Sequence, residues 1–331
     1  MSRIQLSHRF EDIISLENLL LAWGEFSKGK RGRKDVQELE LRLMENLISL
    51  HEDLVQKVYQ HSSYQAFNIS DPKPRRIHKA NVRDRVLHHA IYRKLYPFFD
   101  RTFIADSYSC RVGKGTHKAL EQFQFFGRKV SRNNTRTCWV LKCDVKKFFA
   151  SIDQYILSYI LEMYIPQPDT LWLLRRIICS FNSTETGKGL PLGNLTSQLL
   201  VNVYMNEFDQ YVKHTLKAAH YIRYADDFVL LSEDKDWLTE QIPLISSFLC
   251  DVLSLSLHPD KVYIKTLASG VDFLGWIHFP HHRVLRTATA RRMKRRVQES
   301  SAPATIQSYR GLLQHGNAHR LTEDLLGVDI L

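Results

Sequence analysis

Two adjacent carboxylates at the meeting of two short apolar runs constrain this chain more than any other feature. Tyr221 and Ile222 lead into Tyr224-Ala225-Asp226-Asp227, and Phe228, Val229, Leu230 and Leu231 lead away. Such runs predict a β-hairpin with the two acids at its tip. Neighbouring side chains of a strand point to opposite faces, so only a turn lets both acids work near one site, with one of them doing more. An ordinary acidic turn remains open from these four residues alone, because Asp is common in turns. A matching carboxylate upstream weighs against it. Cys138-Trp139-Val140-Leu141-Lys142-Cys143-Asp144-Val145 reads as a buried strand ending at Asp144. A carboxylate there is costly unless something positive meets it.

If Asp144, Asp226 and Asp227 converge, they need a cation. Two like charges ~4 Å apart repel by roughly 4 kcal/mol at an effective dielectric of about 20. Mg2+ prefers carboxylate oxygens together with water and substrate phosphate. Two such ions ~3.5–4 Å apart activate a hydroxyl and stabilise a leaving pyrophosphate. The chemistry expected is nucleotidyl transfer. A metal nuclease uses similar acids, but it needs neither a basic arm for a triphosphate nor the aromatic pair Phe148-Phe149 that follows Asp144.

The rest of the chain suits that expectation. Its 331 residues fit two or three structural units, and a net charge of +11 favours a polyanionic partner. No apolar run approaches the ~20 residues of a bilayer span. Leu19-Leu20-Leu21 follows Glu11, Asp12 and Glu17, so no signal peptide is expected. Five cysteines without a CxxC pair predict buried thiols in a reducing cytosol rather than disulfides or zinc. Adjacent His88-His89 and His281-His282, and His315 with His319, read as surface or RNA-contacting residues.

Helical stripes are expected over residues 9–26 and from Val36 to Gln60. Between them, five cations from Lys28 to Lys34 form either a solvated loop or a phosphate contact. Pro72 and Pro74 hold an extended basic segment, and a helix from Val82 to Tyr96 follows. Ser151 is the expected N-cap of the next helix. Leu190 to Gln198 opens a long helix with Leu195, Leu199, Val203, Tyr211 and Leu216 on its buried face, and a further helix runs from about Trp237 to Leu253. Val271 to Trp276 reads as a strand pair around a tight glycine, and seven Lys or Arg residues lie between His281 and Arg296.

Taken in order, Asp144-x-x-x-Phe148-Phe149, Leu192-Gly193-x-x-x-Ser197-Gln198, Tyr224-Ala225-Asp226-Asp227, Lys261 and Phe273-Leu274-Gly275-Trp276 resemble the motifs of reverse transcriptases over about residues 71–280. The resemblance implies an α+β right-hand polymerase. Residues 1–70 would be a helical N-terminal extension, 71–137 the fingers, 138–279 the palm with a fingers-like insertion near 164–192, and 280–331 the thumb. It implies that Asp144 and Asp226 hold two Mg2+ ions (Mn2+ substituting), with Asp227 adjacent and Val145 completing the metal set. Lys73 and Arg75 would lie over the incoming dNTP, with Leu192 and Gly193 in its pocket. Phe149 would be the steric gate against a 2′-hydroxyl, although a core aromatic beside Phe148 is the plain reading. Lys261 would sit near the pyrophosphate or simply be solvated. Phe273, Leu274, Gly275 and Trp276 would form the primer grip. Lys30, Arg31, Arg33, Arg291, Arg292 and Arg295 would contact nucleic acid.

Leu192-Gly193 and Ser197-Gln198 stand where most reverse transcriptases carry Gln-Gly and Ser-Pro. In this the chain is similar to enzymes of diversity-generating retroelements, as it is in compact length, the Gly-Lys-Arg cluster near residue 29 and the Gly311…His315-Gly316 ending. That subtype implies cDNA synthesis from a template RNA with errors opposite adenine. It also implies a small basic accessory protein, oligomeric assembly, no membrane, and a cytoplasmic setting in a prokaryote or phage. Retron, group II intron and antiphage enzymes are the neighbouring alternatives, and a silent RNA-binding scaffold is the distant one. A chain ending at Leu331 leads one to expect no endonuclease domain after the thumb.

Overall fold

A computed structural model describes residues 3–70, 74–299 and 302–318. Helices α1 (Phe10–Ile14), α2 (Leu16–Ser27), α3 (Lys34–Glu40) and α4 (Leu43–Val55) precede a hairpin of β1 (Gln65–Ile69) and β2 (Arg75–Lys79). Then come α5 (Val82–Asp100), α6 (Thr116–Val130), β3 (Trp139–Asp144), α7 (Phe148–Ser151), α8 (Gln154–Glu162), α9 (Pro168–Ile178) and α10 (Leu195–Gln210). After a π-helical turn follow β4 (Tyr221–Tyr224), β5 (Asp227–Ser232), α11 (Lys235–Leu253), β6 (Tyr263–Thr266), β7 (Val271–Phe273), β8 (Trp276–His278) and β9 (Arg283–Leu285). The last described helices are α12 (Thr287–Glu299) and α13 (Pro303–Leu313).

The chain divides into two compact units. The first comprises residues 1–105, 145–211 and 247–256 and is built around α5, against which α1, α2, α3 and α10 pack. Val86, Leu87, Ala90, Ile91 and Leu95 of α5 are buried, and so is Asp84. That acid is satisfied by the Tyr59 hydroxyl at 2.8 Å and the Ser62 N–H at 3.0 Å. Twelve residues of α10 are buried, which is why its sequence shows little amphipathic bias.

Several boundaries differ from the sequence reading. The 9–26 stripe is two helices, because Ser15 leaves helical geometry (φ −52°, ψ 142°) to cap α2 through a hydrogen bond from Asn18 N–H. The 36–60 segment breaks at Arg42, with φ −128° and ψ 46°. The cap of α8 is Asp153, whose Oδ1 accepts from the N–H groups of Tyr155 and Ile156 at 2.9 and 3.1 Å. Ser151 instead ends α7, its hydroxyl bonding back to the Lys147 carbonyl. Helix α5 continues four residues past Tyr96, through Pro97, and α10 stops at Gln210 before the π turn that holds Tyr211. All five cysteines are free, but only Cys138 and Cys143 are buried. His88 is buried rather than at the surface, facing His61 Nε2 at 3.2 Å; His319 lies outside the described residues.

The second unit comprises residues 106–144, 212–246 and 257 onward. It carries a four-stranded antiparallel sheet in the order β4-β5-β3-β6 and a three-stranded sheet β7-β8-β9. One core joins them: Leu120, Phe123 and Phe126 of α6, Val140, Val229 and Leu231 of the larger sheet, and Phe273 and Trp276 of the smaller. β3 is an interior strand, paired with β5 on one side and β6 on the other, and Val140 to Cys143 are buried. Gly316, after α13, lies so close to Trp276 that a Cβ there would overlap the indole ring.

Candidate active site

The two acids lie at the joint between β4 and β5, Asp226 in the connecting loop and Asp227 as the first residue of β5. Tyr224 pairs with Asp227, leaving Ala225 and Asp226 as a two-residue loop. Ala225 has φ 55°, as two-residue hairpin turns require at their first central position. Arg223, fully buried, braces this turn: Nη1 donates to the Ala225 carbonyl at 3.2 Å and Nη2 to Ser107 Oγ at 3.0 Å. Tyr224 accepts from the Thr116 hydroxyl at 3.1 Å.

Asp144 closes β3, and the antiparallel register sets it directly across from Asp227. Residues opposite one another share a sheet face, so these two carboxylates project together beside the turn that carries Asp226. Burial pushes the Asp227 carboxyl up to about 6; the Lys142 ammonium opposes this, and the negative charges of Asp144 and Asp226 push it further up. The three acids predicted to converge therefore act on one another.

Two lysines meet them. Lys261 Nζ donates to Asp144 Oδ1 at 2.9 Å, from a side chain that is 41% exposed. Lys142 Nζ donates to Asp227 Oδ1 at 2.8 Å, with only 8% exposure. Lys142 and Arg223 were not singled out from sequence. A signal for Lys142 exists: it lies two residues before Asp144 within an apolar strand, and period-two alternation puts both on one face.

In the first unit, the residues expected at the nucleotide form a second group. The His78 N–H donates to the Leu192 carbonyl at 3.0 Å, and Asn194 Nδ2 donates to the His78 carbonyl at 2.9 Å. The 192–194 loop is thereby laid against β2, whose first residue is the exposed Arg75. Gly193 has φ 108°, and a Cβ there would stand 2.8 Å from Ile77 Cγ2. Phe148 is buried at 3% exposure whereas Phe149 is half-buried, its ring edge-on to Phe148 at 5.6 Å. Core packing thus falls to Phe148 and leaves the Phe149 ring partly accessible. Val145 is buried. Lys73 lies outside the described residues.

Of the expected primer grip, Phe273 and Trp276 are core residues; Leu274 and Gly275, with φ 51° and 88°, form the tight turn between β7 and β8. The expected nucleic-acid contacts are scattered. Lys30 folds back, its ammonium donating to the Phe26 carbonyl at 2.8 Å and lying 4.6 Å from that ring's centre. Arg31 reaches Glu40 at 3.4 Å, and Arg33 precedes α3. Arg291, Arg292 and Arg295 lie on α12, where Arg295 reaches Glu299 at 3.6 Å.

Among the described residues, no group of three or more His, Cys, Asp and Glu side chains forms a metal cage unaided. Mg2+ does not need one, since it commonly takes one or two carboxylates with water and substrate phosphates. The all-oxygen donor set at Asp144 and the turn fits such an ion. Among the described residues, no helix is long and apolar enough to cross a membrane.

Protein YkfC of Escherichia coli (strain K12) is 25% identical over 287 residues, 75% of this chain and 73% of that protein. The group II intron-encoded protein LtrA of Lactococcus lactis subsp. cremoris is 21% identical over 296 residues, 67% of this chain. The chain spans 47% of LtrA's length. Apo telomerase from Candida tropicalis, truncated from the C-terminal domain, superposes with a TM-score of 0.50 at 12% identity, covering 72% of this chain and 59% of that one. That likeness speaks for the fold, a right-hand polymerase fold of helices and antiparallel sheets. The sequence profile described as "Reverse transcriptase (RNA-dependent DNA polymerase)" matches residues 68–278, well over half the chain, and the chain belongs to that family.

Proposed function

We propose that the protein copies a template RNA into cDNA by two-metal nucleotidyl transfer, with residues 71–137 as fingers, 138–279 as palm and 280–331 as thumb. The observation that carries this reading is the cross-strand pairing of Asp144 with Asp227 beside the Asp226 turn. Two bound Mg2+ ions would supply the charge that activates a primer 3′-hydroxyl and steadies the pyrophosphate. Asp144 and Asp226 would hold them. Lys261, already within reach of Asp144, offers a proton donor on the leaving-group side. By the family resemblance Arg75 would present forked donors to the triphosphate, and Phe149 would be the steric gate against a 2′-hydroxyl.

The finer assignment is to the enzymes of diversity-generating retroelements, working with a small basic accessory protein. Support lies in the 192–198 loop. Leu192 has no side-chain hydrogen bond to offer a nucleotide where a glutamine is usual, and a looser pocket discriminates less. Leu192 and Arg75 together would set low fidelity opposite template adenine. An intron-type enzyme is the second reading, favoured by the likeness to LtrA. A variable repeat beside the gene favours diversification, and an intron RNA around it favours the second reading.

Primer extension on RNA with Mg2+, comparing wild type with Asp226→Ala, tests the activity. The wild type makes cDNA and the variant does not, while both bind RNA equally. Equal RNA binding with no synthesis by either protein would point to a scaffold instead.

A further inference from the structure

We infer that Lys142 is a positioning residue that commits the Asp227 carboxylate to itself, so that the metal ions fall to Asp144 and Asp226. The inference rests on the polymerase reading above. Lys142 sits in the interior of β3, paired with Val229 of β5 on one side and Tyr263 of β6 on the other. Its backbone is fixed by both ladders, and alternation aims its side chain along the face that bears Asp144. Asp227, directly opposite Asp144, receives the ammonium at 2.8 Å.

The difference between the two lysines makes the argument. The Lys261–Asp144 pair has a lysine that is 41% exposed and stands at the end of a short 3-10 turn, Pro259–Lys261. An incoming cation displaces such a lysine at small cost, because water receives the ammonium. Lys142 is 8% exposed and has no such exit. Removing the carboxylate from it would leave a buried unpaired charge, the costly way to break an ion pair. Asp144 is therefore exchangeable from lysine to metal, and Asp227 is not.

The test is Mn2+ binding, read by electron paramagnetic resonance, to the protein stalled on an RNA template with a dideoxy-terminated primer and the next dNTP. Asp226→Asn weakens Mn2+ about tenfold or more, while Asp227→Asn shifts it by less than about threefold. Lys142→Met slows extension about 10–100-fold, as loss of a supporting partner does. The double variant Lys142→Met/Asp227→Asn extends faster than Lys142→Met, since no charge is then left unpaired. Equal weakening of Mn2+ by Asp226→Asn and Asp227→Asn overturns the inference. So does a double variant no faster than Lys142→Met. If Lys142→Met fails to melt cooperatively, the comparison of the two aspartates still decides. Unaltered Mn2+ binding and synthesis in Asp226→Asn would sink the polymerase reading itself, a separate outcome.

Discussion

Replacing Gly193 with alanine probes the 192–194 loop, proposed above to border the nucleotide, through two separable costs. The first is backbone: φ is 108° at this position, a region that costs a residue with a Cβ about 1–3 kcal/mol. The second is contact, because the new Cβ would stand 2.8 Å from Ile77 Cγ2. Ile77 can yield by leaving its rotamer at about 0.5–1.5 kcal/mol. The sum is about 1.5–4.5 kcal/mol. For a body of roughly 150–250 residues each kcal/mol is worth about 2–4 °C, so the melting temperature falls by about 3–18 °C. The Leu192 carbonyl and the Asn194 amide both hold His78, so the shift carries the loop and β2 together. The KM for dNTP is expected to rise more than kcat falls. Adding Ile77→Ala removes the contact but not the backbone cost, so about 1–3 kcal/mol of the loss remains relative to Ile77→Ala alone. Thermal melts and steady-state primer extension on the variants read both effects. A Gly193→Ala protein that melts within a degree of wild type would refute the claim that this glycine pins the loop to β2.

Acid stability and fidelity give two more tests. His278 is 3% exposed, and burial, followed by the nearby Arg283 charge, pushes it down to about 3. The unfolded chain, with a pKa near 6.5, then binds the proton that the folded one refuses, so stability is lost as pH falls from about 6.5 toward 3, by at most about 1.4 kcal/mol per pH unit. Urea melts of His278→Phe should show a slope shallower by up to that amount, and an unchanged slope would refute it. Leu192→Gln is expected to lower misincorporation opposite template adenine, read by sequencing the cDNA. An unchanged error rate refutes the proposed role of Leu192 in fidelity.

What was legible in the sequence was local chemistry with a strong period. The Asp226-Asp227 hairpin, the strand ending at Asp144 and the Leu274-Gly275 turn all follow from alternation and turn residues within ten positions. The breaks at Ser15 and Arg42 were not legible, since neither has a glycine or proline to mark it and both helical stripes run through in register. The cap of α8 went to Asp153 over Ser151 because two good capping residues stand two apart, and only the packed entry of the helix chooses between them. His88 read as a surface residue because its partner, His61, lies 27 positions away. Lys142 shows the same limit. Its partner is 85 residues on, and a lysine in an apolar strand stays unexplained until the carboxylate it pairs with is known.

The turn itself shows how residues outside the recognised motif hold it in place. Ala225 stands at φ 55°, where an L-residue gives up roughly 1–2 kcal/mol. Glycine would avoid that cost but would loosen the loop that carries Asp226. The chain keeps a side chain there and meets the cost with Arg223, whose buried guanidinium grips the Ala225 carbonyl and Ser107. The Arg223 backbone is fixed as well, its N–H donating to the Asp106 carbonyl at 3.0 Å and its carbonyl accepting from Tyr108 at 2.9 Å. Strain at one acid's neighbour is thus balanced by a segment more than a hundred residues upstream. The placement of Asp226 therefore depends on Asp106 to Tyr108 as much as on the four motif letters.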